Sequence, residues 1–121
     1  MEIKESLEQI LNNLNQKEGI LASLLVRKDG LFLAFVSNDD SINRNTAVSL
    51  ATVFNTFEQT AEELKTGSLN YLLIKAENKN IFFIEVSKNI ILVSFLDSSA
   101  KINDIYKEAV KTTPKIMGVL K

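Results

Sequence analysis

EGILASLLVRKDGLFLAFV, residues 18–36, holds two apolar runs, 20–26 and 31–36, separated by Arg27-Lys28-Asp29-Gly30. Asp-Gly between apolar runs is a hairpin signal, because a tight turn needs residues that tolerate positive φ. Leu, Ile, Val and Phe on both sides supply strands that must be buried. Upstream, Ile3, Leu7, Ile10, Leu11 and Leu14 recur at helical spacing among Glu, Gln, Asn and Lys, so an amphipathic helix ends before Gly19. Downstream, Asp39-Asp40-Ser41 offers cap residues to a long helix over 42–65, and Gly67 is placed to take the left-handed conformation at its end. Strands follow at 69–76, 81–86 and 90–96, joined by short Asn-rich turns that suit a meander. A last helix carries the stripe Ile102, Ile105, Tyr106, Ala109 and Val110, and Thr113-Pro114 predicts its end.

The order is α-β-β-α-β-β-β-α. Antiparallel strands with one wet face alternate apolar and polar residues. Here LFLAFV, IFFIEV and IILVSFL are almost unbroken, so both faces of the sheet need cover. Three amphipathic helices supply it. The expectation is an α/β three-layer sandwich, with the long helix on one face of a five-stranded antiparallel sheet and the terminal helices on the other.

The long helix carries more apolar surface than one sheet face requires. At about 100° per residue, Val53, Leu64, Phe57, Leu50 and Ala61 mark the centre of its arc. Phe54, Ala47 and Ala51 widen it to about 160°, against the roughly 100° that covers a sheet. Between Arg44 and Glu62 the only charged residue is Glu58; the rest of the polar face is Asn, Thr, Ser and Gln. Uncharged side chains bury at low cost, so this helix predicts a symmetric dimer, with residues 69–75 as an edge strand able to pair across a two-fold axis.

Catalytic groups are scarce. The chain has 121 residues, no Cys and no His, which removes Ser-His-Asp and Cys-His arrangements and the common zinc sites. Four glycines, at 19, 30, 67 and 118, cannot build a Gly-rich phosphate cradle. Fourteen basic and fifteen acidic residues, nowhere clustered into a cationic run, argue against nucleic acid. The acidic, helical N-terminus is unlike an export signal, and no apolar run reaches the ~20 residues that span a bilayer, so the expectation is a cytoplasmic protein without membrane insertion. No cofactor or metal is expected. The acidic pairs Asp39-Asp40 and Glu62-Glu63, with Glu58 one helical turn before Glu62, read as a helix start and a solvated face rather than as catalysts. Arg44, one of two arginines, could act as an arginine finger, although a surface Arg near a helix start is usually inert.

Gly19 before the first strand, Asp29-Gly30 at the turn, the Ala/Thr-rich long helix and Glu63-Leu64-Lys65-Thr66-Gly67 before the third strand together resemble the roadblock/dynein light chain family, a roadblock/longin/profilin-like fold. The resemblance spans nearly the whole chain, so residues 1–121 read as a single roadblock-like domain. One departure is Ser98-Ser99-Ala100-Lys101, which has no glycine where the family often has one. The resemblance implies homo- or heterodimers with packed long helices and paired third strands, acting as platforms for small Ras-like GTPases. Some bacterial members accelerate GTP hydrolysis by reorganising their partner's active site. On this reading the protein is not an enzyme. Ala47, Ala51, Phe54, Glu58, Leu69, Tyr71 and Leu73 lie at the dimer seam with itself or another roadblock protein. Val48, Thr52, Asn55 and Gln59 face the GTPase. Alternatives are a structural adaptor without effect on hydrolysis and a small-molecule sensory domain.

Overall fold

A computed structural model describes residues 2–120, apart from the Arg44 side chain. Its elements are α1 (Ile3–Leu14), β1 (Ile20–Arg27), β2 (Phe32–Ser37), a 3-10 turn (Arg44–Thr46), α2 (Ala47–Glu63), β3 (Leu72–Ile74), β4 (Asn80–Ser87), β5 (Ile90–Leu96) and α3 (Ile102–Leu120). The strands form one antiparallel sheet in the order β2-β1-β5-β4-β3. The expected element order and sandwich are therefore what the chain adopts.

The unbroken apolar strands are explained by cover on both faces. Toward α1 and α3 point Leu25, Ala34, Phe82, Ile84, Leu92 and Leu96, packed on Leu7, Leu11, Ile105, Ala109 and Ile116. Toward α2 point Ala22, Leu24, Val26, Phe83, Ile91, Val93 and Phe95, packed on Ala47, Leu50 and Phe54. The first face also holds a fully satisfied polar string. Ser23 Oγ donates to Asn15 Oδ1 (2.7 Å) and lies 2.9 Å from Ser94 Oγ, while Asn15 Nδ2 donates to the Val36 carbonyl (2.9 Å). Because a buried polar group left without a partner is costly, this string ties the end of α1 to β2, β1 and β5 in one register.

At the decisive hairpin, Gly30 takes φ +96° and donates to the Arg27 carbonyl (2.8 Å), and Asp29 Oδ1 accepts the Leu31 N–H (3.2 Å). Gly19 meets two demands at once. Its φ is +94°, and a Cβ there would lie 2.4 Å from the Ala100 Cα. The absence of a glycine at 98–101 is thus compensated from the other side: Asp97 turns the chain by accepting the Ser99 N–H (2.8 Å) and hydroxyl (2.6 Å), and Gly19 makes room for Ala100.

Four expectations need correction. Pro114 does not end α3, which runs on to Leu120 and buries Ile116 in the core. Pro114 has no N–H for the Val110 carbonyl, and the Thr113 hydroxyl supplies the missing donor at 3.1 Å. The third strand is shorter than 69–76, forming ladder only over Leu72–Ile74. Asp39-Asp40-Ser41 builds a turn of its own instead of capping α2, whose N-cap Thr46 donates its hydroxyl back to the Asn43 carbonyl (2.9 Å). The left-handed residue that ends α2 is Lys65 (φ +57°), with the Lys65 N–H donating to the Glu62 carbonyl and the Thr66 N–H to that of Ala61, both at 3.1 Å. Gly67, also left-handed at φ +93°, lies beyond that cap.

Candidate partner-binding surface

On α2, Ala47, Leu50 and Phe54 pack on the sheet, the Phe54 ring centroid 6.3 Å from that of Phe83, and Ala51 is buried on the same helix. Phe54 is at 1% exposure. This corrects the expected seam: Ala47, Ala51 and Phe54 form the helix's own buried side and reach no surface. The arc is turned relative to the reading from angles, so Phe57 (48% exposed) and Leu64 (69%) lie outside it, with Val53 and Ala61 half-buried beside them.

Glu58 makes a contact within the chain while its side chain stays 38% exposed. Lys28, at the hairpin tip, donates to Glu58 Oε1 (3.0 Å) and to Glu85 Oε2 (2.5 Å), and its Nζ stands 5.5 Å from the Phe54 ring centre. Burial pulls the Lys28 ammonium down, but the bonds to Glu85 and Glu58 outweigh it and hold its pKa above the ordinary lysine value. Asn55 Nδ2 donates to the Lys28 carbonyl (2.7 Å), so this expected partner contact is half-buried and holds the hairpin to α2.

Val48, Thr52 and Gln59 are exposed on one flank, Val48 against Gly30 and near the exposed Leu31. Thr52, Thr56 and Thr60 each donate their hydroxyl to the carbonyl four residues earlier, at 2.8–2.9 Å. With the hydroxyls turned onto the backbone, the outer face of α2 presents methyl groups and no charge between Arg44 and Glu58. Thus α2 carries two surfaces, a neutral one (Val48, Thr52, Gln59) and an apolar one (Val53, Phe57, Leu64). The second was missed as a surface because its large side chains were read as core.

At the sheet edge, β3 has no neighbour on its outer side among the described residues. Leu69 and Leu73 are half-buried on opposite faces, and Tyr71 stacks on Phe82 at 5.3 Å and meets Tyr106 tilted, at 5.4 Å between ring centroids. The acidic pairs stay apart. The Ser41 hydroxyl and N–H hold the Asp39 carboxyl below the ordinary value, Asp40 is exposed, and Glu63 accepts only from Gln59 (3.4 Å). Among the described residues no three His, Cys, Asp or Glu side chains converge on a metal position, and no helix is long and apolar enough to cross a membrane. Arg44 starts the 3-10 turn, and its side chain lies outside the described residues.

Comparison with known proteins agrees with this geometry. A family model described as the Roadblock/LC7 domain matches residues 6–94. An uncharacterized protein of Methanocaldococcus jannaschii is 30% identical over 98 residues, covering 80% of this chain and 82% of the relative. Among solved structures, Myxococcus xanthus MglB superposes with a TM-score of 0.87 at 12% identity, covering 99% of this chain and 91% of that one. An MglB with a tetrameric arrangement gives 0.84 at 14% identity, covering 98% and 90%.

Proposed function

The chain belongs to the Roadblock/LC7 domain family, and on that premise we propose that it is a non-enzymatic dimeric platform that binds a small Ras-like GTPase and biases its nucleotide state. The observation that carries this reading is the pair of uncharged surfaces on α2. An isologous dimer needs a self-complementary apolar patch beside an open strand edge. Val53, Phe57 and Leu64 supply the patch, and β3 with Leu69, Tyr71 and Leu73 supplies the edge. Self-assembly of MglB, solved in a tetrameric arrangement, supports the same assignment. The opposite flank, Val48, Thr52 and Gln59 with Leu31, stays free in such a dimer and is the GTPase face. The sequence has no His or Cys, and no carboxylates converge among the described residues, so on this reading the platform acts by selecting a conformation of its partner.

Light scattering after size exclusion is expected to give about twice 13.5 kDa. Phe57→Arg with Leu64→Glu is expected to give a folded monomer. Thr52→Arg with Gln59→Arg should keep the dimer and lose GTPase binding. The binding assay uses purified small GTPases of the source organism, loaded with GDP or a non-hydrolysable GTP analogue. Equal affinity for both loaded forms reduces the role to an adaptor, and a monomer at every concentration rejects the homodimer.

A further inference from the structure

The segment between β2 and α2 forms a strap tied to the sheet at its start, where the Asn38 N–H donates to the Leu21 carbonyl (2.9 Å) and Asp39 Oδ2 stands 3.7 Å from Lys79 Nζ. Between the strap and the sheet lies a cavity of about 270 Å³ lined by Ser41, Ile42, Asn43, Thr46, Lys79, Ile81 and Phe95. In it apolar surface prevails, from Ile42, Ile81 and Phe95. The hollow beside Lys75, Glu77 and Asp97, by contrast, has more polar than apolar wall.

We propose that this cavity binds a small monocarboxylic acid with an apolar tail, the tail on Ile42, Ile81 and Phe95 and the carboxylate on Lys79. The lining selects both ends of the ligand. Among the described side chains of the lining Lys79 is the cation, and its 3.7 Å contact with Asp39 is too long for a normal hydrogen bond, so its N–H donors can take another acceptor. A monoanion on Lys79 meets the neighbouring Asp39 carboxylate with one negative charge and a phosphate dianion with two, so the monoanion is the less repelled. The hydroxyls of Ser41 and Thr46 are committed to Asp39 Oδ1 and the Asn43 carbonyl, while Asn43 Oδ1 accepts the Asn45 N–H and leaves the Asn43 NH₂ as a donor. A sugar or polyol, needing many donors and acceptors, finds few here. Ligand sites combine an apolar lining with a few polar groups in this proportion.

The test is a titration of the full chain followed by ¹H–¹⁵N correlation spectra, with sodium octanoate as probe, sodium acetate lacking the tail and 1-octanol lacking the charge. Octanoate is expected to give saturable shifts at Ile42, Asn43, Thr46, Lys79, Ile81 and Phe95, and acetate none. Lys79→Met should weaken octanoate at least about fivefold and leave 1-octanol unchanged. Asp39→Asn, which removes the competing carboxylate, should tighten octanoate. Shifts centred on Phe57, Leu64 or Val110, or octanoate binding indifferent to Lys79→Met, overturn the proposal.

Discussion

Phe54→Ala separates the core reading of α2 from the seam reading. The side chain is 1% exposed, stacks on Phe83 and lies beneath the Lys28 ammonium, so truncation leaves a cavity and removes a cation–π contact. Buried Phe-to-Ala changes cost about 3–5 kcal/mol. For a chain of 121 residues the unfolding entropy near Tm is about 0.25 kcal/mol/K, which converts that cost to a fall of about 12–20 °C. Thermal melts and urea titrations should be run at matched protomer concentration, since association adds to apparent stability. Phe57→Ala, at a 48% exposed position three residues away, is the control. It is expected to change protomer stability by no more than about 0.5 kcal/mol and to weaken self-association. The reasoning is refuted if Phe54→Ala melts within about 4 °C of the parent while dissociating the dimer.

Gly19→Ala should cost more than Gly67→Ala. Both have positive φ, but the first adds a clash with the Ala100 backbone while the second faces open space; urea midpoints with unchanged slopes compare them. Thr113→Val leaves the Val110 carbonyl without its donor beside Pro114 and is expected to cost about 1 kcal/mol, read as a lower melting temperature and faster amide exchange around Val110. Lys28 has a raised pKa, so its stabilisation is full below the ordinary 10.5 and fades as pH climbs through the native value. The stability difference between the parent and Lys28→Met should therefore shrink in alkaline denaturation series. The depressed Asp97 carboxyl acts oppositely: its stabilisation is present above the ordinary 3.8 and is lost as pH falls through the native value, a loss that Asp97→Ala should lack.

The sandwich was readable because its signals are local. Asp29-Gly30 marks the hairpin, and the uninterrupted apolar strands require two covered faces. The orientation of α2 was not readable, because a helical arc weights Phe57 and Leu64 by hydrophobicity whereas the buried side includes small residues. Ala47 and Ala51 are buried, and small residues carry little weight in an apolar sum. Pro114 misled for a similar reason: its missing donor is visible in sequence, the compensating bend of the Thr113 hydroxyl is not. The Lys28–Glu58–Glu85 triad joins residues 30 and 57 apart, and no spacing rule announces such a meeting. Of the expected GTPase face, Val48, Thr52 and Gln59 were placed on the surface correctly, while Asn55 proved to be tied to the hairpin.

The strand order β2-β1-β5-β4-β3 has a temporal consequence. Each half of the chain closes its own hairpins, but the central β1–β5 ladder joins distant residues, Ser23 and Ser94 being 71 positions apart. On the ribosome β1 therefore waits with an unpaired edge until β5 has been synthesised, and both cores stay open meanwhile. Closing so long a loop before any reward from the ladder slows folding relative to a chain of local contacts. The nascent first half is then the stage most exposed to edge-to-edge misassembly, and Ser23, waiting for Ser94, is the polar mark that rejects a strand paired out of register.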